Sequence, residues 1–339
     1  MKSFAHNKHV ITANKALLAE FGSGLLRSAK ENNVAFGFEA AVCGGVPIIS
    51  GLSKSLVANE IKSILGIVNG TSNYILTIME KEGISMKEAL KIAQKKGYAE
   101  RDPYLDLGGV DSAHKLAILV SLAFGFYPKF SDIYYEGITS ISNLDIKYAL
   151  ELGYRIKLLA VAKRSAGNSV EARVHPTLLP LDHILSSVRG VYNAVHVEGS
   201  LVGKLLFHGK GAGKNPTASA VISDLVNISE HLSRKDSISR VFCDSGMKRL
   251  INIDEISSRY YVRFMAVDRP GVLANVSGIL GRHNISIASV TQKERGRARS
   301  VPIVMMTHEA NEMNMKKAMA KIQKLKAIAK KPIWIRVEG

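Results

Sequence analysis

"VITANKALLAEFGSGLLRSAKENNVAFGF", residues 10–38, decides how this chain begins to fold. Val10 and Ile11 read as the end of a buried strand. Thr12 and Asn14 then offer caps to an amphipathic helix on which Leu17, Leu18, Phe21, Leu25 and Leu26 recur at helical spacing. Residues 34–38 read as a second strand. The product is the second half of a βαβ unit, the building block of a parallel α/β sheet, with hardly any chain before it to supply the first half.

Working outward, "GGVP" at 44–47 is a turn, and residues 48–58 resume a helical pattern. "EIKSILGIVNGTSNYIL" at 60–76 reads as strand, loop and helix, with Asn69, Gly70 and Thr71 at the strand end. Ser85 and Glu88 form a capping box for a helix over 86–96 that Gly97 stops. An acidic segment comes at once, "YAERDPYLDLGGVDSAHKLAIL" at 98–119, carrying Glu100, Asp102, Asp106 and Asp111. Pro103, Gly108 and Gly109 place the first three carboxylates on a loop, and Asp111 opens an almost wholly apolar helix.

"YRIKLLAVAKR", "SVEARVHPTLLP" and "AVHVEGSLVGKLLFHG" alternate like paired strands. "GKGAGKNPTASAVISDLVNI" at 209–228 is a glycine-rich loop running into a helix. Its spacing is not that of a P-loop, because three residues separate Gly209 from Gly213 and Asn215 follows Lys214. Residues 231–258 read as a connector. The remainder reads as strand 260–266, helix after "DRPGVLA", strands 285–292 and 301–307, helix 313–329 and strand 332–337, a βαββαβ order.

The chain has 339 residues, 46% of them hydrophobic, enough for two or three domains with cores. A formal charge of +17 raises the prior for an anionic partner. Nucleic acid is disfavoured because lysines and arginines are dispersed and no aromatic and basic RNA-reading motif occurs. The longest apolar run, 116–127, is interrupted by Ser121 and Gly125 and is too short to span a bilayer, so no membrane is expected. Cys43 and Cys243 are distant and lack zinc-site spacing, which fits a reducing cytoplasm.

For each candidate site two readings stand. Asp111 is either a helix cap or, four residues before Lys115 on one helix face, a carboxylate that positions an ammonium able to donate a proton. Lys15 is an exposed first-turn lysine or a functional one. Asn69-Gly70-Thr71 is a turn or a strand-end ligand loop. Gly209, Gly211 and Gly213 serve tight turns or the close approach of a phosphate.

Taken together, "TANKALLA", "NGTSNYIL", "GYAERDPYLDLGGVDSAHKLAIL" and "GKGAGKNPTASAV" resemble homoserine dehydrogenases in order and spacing, and "VDRPGVLANVSGILGRHNISIASVTQ" is similar to an ACT regulatory domain. The resemblance implies NAD(P)-dependent interconversion of L-homoserine and L-aspartate 4-semialdehyde, toward threonine, methionine and isoleucine. It implies Lys115 as proton donor, with Lys15 reaching the same oxygen or the NADP or NAD cofactor. Glu100, Asp106 and Asp111 would hold the substrate, with Thr71 and Gly70 lining its pocket, and Asn69 and Gly211 would meet the cofactor. A monovalent cation such as sodium would bind Glu39 and the carbonyls of Val42, Gly44 and Val46 in "FEAAVCGGV". L-Threonine would be the effector, at Asp268, Gly271, Asn275 and Asn284, and the protein a homodimer or homotetramer.

The expected fold is α/β and α+β. Residues 1–43 would be the remnant of an incomplete Rossmann-type dinucleotide-binding domain, completed by about 209–230 and lacking its GxGxxG half. Residues 44–208 would form a catalytic and dimerisation domain with a mixed sheet, 231–258 the connector, and 259–339 the ferredoxin-like ACT domain. The missing fingerprint leaves an alternative, an impaired homologue acting only as an amino-acid-binding ACT protein.

Overall fold

The computed structural model describes residues 1–234, 249–292 and 300–339; Cys243 and part of the expected connector lie outside them. The chain divides into two compact units. One comprises Met1–Thr139, Leu158–His175 and Val188–Ile251, the other Ser140–Lys157, Pro176–Ser187 and Asn252–Gly339. This division does not match the expected boundaries: residues 1–43 share one unit with the chain up to Thr139, and two central segments group with the C-terminal residues.

In the first unit, strand β1 (Val10–Ile11) pairs parallel with β2 (Phe36–Gly37) across helix α1 (Lys15–Glu31). The second strand is shorter than the apolar run 34–38, since only Phe36 and Gly37 find ladder partners. Asn14 caps α1 by accepting from the Leu17 N–H at 3.0 Å. Leu18, Gly22, Leu25 and Ala29 form its buried stripe. A mixed sheet comes next, built on β3 (Ile61–Ile67). Beside it lie, on one side, β4 (Tyr154–Ser165) and β5 (Ser169–Pro180), of which residues 158–165 and 169–175 belong to this unit, and on the other the hairpin β6 (Tyr192–Gly199) and β7 (Gly203–Lys210).

Helix α2 (Gly70–Glu82) leaves the end of β3, capped by Asn69. Helix α3 (Met86–Lys95) has the expected capping box. The acidic loop contains a short helix, α4 (Tyr104–Leu107), so Asp106 is helical rather than in open loop, and Asp102 accepts from the Tyr104 N–H at its start. Helix α5 (Val110–Phe124) is the core of the unit: Ala113, Leu116, Leu119 and Val120 are wholly buried. Truncating one such leucine to alanine costs about 2–5 kcal/mol. Helix α1 lies against it. Helix α6 (Lys214–Arg234) has 21 residues and succeeds the glycine loop.

In the second unit, β8 (Ser257–Ala266), α7 (Val272–Arg282), β9 (Ile287–Gln292), β10 (Val301–Thr307), α8 (Glu312–Ile322) and β11 (Ile328–Val337) realise the βαββαβ order, with sheet order β9-β10-β8-β11. The final helix stops at Ile322 rather than 329. Its lysine-rich continuation is helix-favouring, but Ile328 and Lys330 pair with Ala266 and Met265, and the ladder overrides local propensity. Strand β9 starts two residues later than expected, because Asn284 sits in a left-handed turn whose N–H donates to Gly281.

Candidate active site

Asp111 stands in the first turn of α5, but it is not the cap. Gly109 takes that position with φ +87, a left-handed backbone that favours glycine, and this frees the Asp111 carboxylate to face inward. Its Oδ2 accepts from Lys115 Nζ at 2.8 Å and from Asn69 Nδ2 at 2.8 Å, and its Oδ1 meets Lys15 Nζ at 3.1 Å. Three distant stretches converge here because the start of α1, the end of β3 and the start of α5 come together.

Burial works against ionisation of Asp111, but the Lys115 and Lys15 ammonium groups outweigh it and hold the carboxyl far below the usual aspartate range. Lys115 mirrors this. Its own burial lowers its pKa, and the Asp111 charge and hydrogen bond, with further contributions from Cys43 and Asp106, together more than reverse that, so the lysine stays an ammonium above the ordinary lysine range. A second acceptor, the Val68 carbonyl at 2.7 Å, fixes its direction. The Lys115 side chain is 12% exposed and that of Lys15 41%, so Lys15 faces solvent while Lys115 is largely enclosed. A charged donor held between two acceptors, with its third N–H to spare, is equipped to protonate an oxygen that gains negative charge.

The other candidates fall into distinct places. Asn69 is committed: its amide N–H bonds go to Asp106 at 2.7 Å and Asp111, and its Oδ1 caps α2 through Ser72 N, which leaves no side-chain donor for a cofactor. Asp106 thus joins the cluster through Asn69. Thr71 Oγ1 donates to the Tyr98 carbonyl at 2.7 Å and ties α2 to the acidic segment. Gly70 opens α2 where a Cβ would lie 2.7 Å from the Val191 carbonyl oxygen. The Glu100 side chain is exposed and bonds to none of these groups among the described residues; only its carbonyl is used, by Gln94. Gly211 packs so closely that a Cβ would lie 2.1 Å from the Asn193 amide.

At the expected cation turn, the Glu39 carboxylate accepts from Ile49 N at 2.9 Å and Ser50 N at 2.8 Å, and burial is the main cause of its raised pKa. The Val46 carbonyl accepts from Ile48 N at 2.7 Å, while no such bond is made by the Val42 or Gly44 carbonyl among the described residues. The oxygens are hard donors of the right kind, but Glu39 already serves as the cap of the next turn.

In the second unit, Gly271 caps α7 with φ +84, and Asp268 and Asn275 flank that turn. Asn284 does not: it lies beyond the other end of an 11-residue helix, about 16 Å away at 1.5 Å per residue. The expected effector set therefore loses Asn284. Sequence reasoning also missed Asn193, a fully buried amide in β6; a lone Asn between apolar strand residues was the available signal.

Comparison with known proteins agrees with this geometry. Residues 47–226 match the homoserine dehydrogenase family model and 260–327 that of the ACT domain. A homoserine dehydrogenase of Neisseria gonorrhoeae is 45% identical over 345 residues, covering 100% of this chain and 79% of the relative. The crystal structure of a homoserine dehydrogenase from Thiobacillus denitrificans superposes with a TM-score of 0.93 at 43% identity, covering 99% of this chain and 78% of that one. A hyperthermophilic archaeal homoserine dehydrogenase in complex with NADPH gives 0.59 at 29% identity, covering 70% and 67%.

Proposed function

The chain belongs to the homoserine dehydrogenase family of oxidoreductases, and we propose that its Asp111 and Lys115 centre moves the proton in NAD(P)-dependent interconversion of L-aspartate 4-semialdehyde and L-homoserine. The observation that carries this reading is Lys115 itself, a buried ammonium anchored by Asp111 Oδ2 and the Val68 carbonyl, with a third N–H left to give.

In the reducing direction, Lys115 Nζ donates its proton to the aldehyde oxygen as that oxygen gains charge. In the oxidising direction, the neutral amine takes the hydroxyl proton. Asp111 holds Lys115 in its charged form, and Lys15, on the other carboxylate oxygen and more exposed, sits within reach of the same oxygen or of the cofactor. Glu100, a carboxylate with no cation bonded to it among the described residues, is suited to the substrate's ammonium, with Asp106, Thr71 and Gly70 as further substrate-binding positions.

The residues present fit one end of a dinucleotide. The Gly209–Gly213 loop delivers the N-terminus of α6 and Lys214, whose N–H groups suit an anionic phosphate, and the absence of a side chain at Gly211 lets that loop close on Asn193. Bound there, NADPH or NADH would supply the hydride in the reducing direction, and NADP+ or NAD+ would accept it in the oxidising one. A sodium-class ion would use Glu39 and the Val42, Gly44 and Val46 carbonyls to stiffen the turn beside that loop; the Gly45 N–H donates to the Lys210 carbonyl at 3.0 Å.

Threonine is the proposed effector of the ACT unit, at the Asp268, Gly271 and Asn275 turn, in a cytoplasmic homodimer or homotetramer; no described helix is long and apolar enough to cross a membrane. Purified chain should reduce NADP+ or NAD+ when L-homoserine is added. No homoserine-dependent reduction with either cofactor, at neutral and alkaline pH, would contradict the reading.

A further inference from the structure

Asn193 is 1% exposed, in a strand whose neighbours Ala194 and Val195 are wholly buried and apolar. Its Nδ2 donates to the Val68 carbonyl at 2.9 Å. That same oxygen accepts from Lys115 Nζ at 2.7 Å. We propose that Asn193 is a positioning residue for Lys115, acting through the backbone carbonyl that both side chains share. The inference rests on Lys115 being the proton carrier.

A carbonyl oxygen has two lone pairs, and here both are taken, so the oxygen is held from two directions rather than one. Asn193 is itself held. It stands opposite Gly209 in the β6–β7 ladder, and Asn73 Nδ2 donates to the carbonyls on either side of Val191, those of Gly190 and Tyr192, at 3.0 and 3.1 Å. Gly211 closes over the amide with no room for a side chain. Cys43, buried beside the amide, occupies a left-handed backbone with φ +55 that a non-glycine residue rarely adopts.

Packing alone does not account for the amide. Asn193 Oδ1 is buried with no hydrogen-bond partner among the described residues, and an unfilled buried acceptor costs stability that a leucine of the same forked shape would avoid. What the amide adds over leucine is the N–H directed at Val68, beside a hydrogen-bonding contact with the buried Cys43 thiol. The strand-end carbonyl, the cofactor-loop glycine and the proton donor therefore meet at one side chain.

The test uses the full chain with Asn193→Leu, which keeps the fork and removes the donor, and the smaller Asn193→Ala in case leucine prevents folding. Two readouts are needed: steady-state aldehyde reduction, and direct titration of Lys115 by NMR in protein carbon-13-labelled at lysine Cε, the resonance assigned by its loss in Lys115→Arg. The expected result is a fall in kcat of about tenfold with KM within about threefold, the pattern of a misaimed donor. Lys115 should also titrate at higher pH in Asn193→Leu, because the positive end of the amide dipole no longer faces it. Unchanged kcat and unchanged titration, with only the melting temperature altered, would overturn the proposal and leave Asn193 a packing residue. If Lys115→Ala retains turnover, the proton-carrier reading fails instead, and the titration, which needs no turnover, still decides whether Asn193 acts on the lysine.

Discussion

Asp111 and Glu312 are both buried carboxylates bonded to cations, and they do opposite things. Glu312 is 0% exposed and Arg336 1%: a bidentate guanidinium on the carboxylate, with the Tyr260 hydroxyl donating to Glu312 Oε2 at 2.7 Å, closes the group on every side. Asp111 gathers two ammonium groups and an amide, and Lys15 remains 41% exposed. One cluster is neutral, saturated and sealed. The other puts two ammonium groups on one carboxylate, with Asp106 joined through Asn69, and opens outward at Lys15. Burial of an ion pair is therefore uninformative by itself; what separates scaffold from chemistry is whether donors are left over.

The largest effect that sharpens this contrast is at the open cluster. Lys115→Ala should remove turnover by about 10² to 10⁴-fold, the range of a general acid, while leaving Asp111 paired with Lys15 and the fold intact. Near-normal kcat in the folded variant would place the proton elsewhere. At the sealed cluster the expectation reverses. Arg336→Met leaves Glu312 buried without its cation and should cost about 3–5 kcal/mol of stability, read by denaturant unfolding, with kcat per folded molecule little changed. A smaller effect is expected at Gly211→Ala, where a Cβ 2.1 Å from the Asn193 amide forces a shift. About 1–3 kcal/mol of destabilisation should accompany weaker NADP+ binding by calorimetry, and unaltered affinity would remove the loop from the cofactor site.

What could be read beforehand was what local pattern decides. The Asn14 cap, the Ser85 capping box and the Asp111 and Lys115 spacing depend on residues three or four apart, and each holds. The contact of Lys15 with Asp111 was legible only through family resemblance, because it needs α1 and α5 to be neighbours. Asn69 was placed at the cofactor and instead bridges Asp106 and Asp111, since a strand-end amide bonds to whatever carboxylate the next helices bring to it. The Val68 carbonyl and Asn193 were beyond reach for a similar reason: backbone acceptors have no sequence signature, and the register of β6 sets which side chain meets them. In the second unit the lysines after Ile322 suggested more helix than the ladder permits, and Asn284 looked near Gly271 only while the helix between them had no length.

The opposed shifts of Asp111 and Lys115 have signs that can be separated. Asp111 is depressed in the folded state, so its contribution to stability is present above the ordinary aspartate range and lost as pH falls through its lower folded value. Lys115 is raised, so its contribution is present below the ordinary lysine range and lost as pH rises through its higher folded value. Aldehyde reduction needs the ammonium and homoserine oxidation the free amine. Reduction should therefore persist to alkaline pH, and oxidation should climb with pH.

The pH profile of kcat for aldehyde reduction, compared between the unaltered chain and Asp111→Asn, tests the central claim most directly. With Asp111 ionised, the basic limb should lie above the ordinary lysine range. In Asp111→Asn, burial acts on Lys115 without the countercharge, and the limb should move down by more than one pH unit, about 1.4 kcal/mol per unit of lost charge stabilisation. A limb that stays in place when the carboxylate is gone would show that Asp111 does not hold Lys115 charged, and would contradict the account.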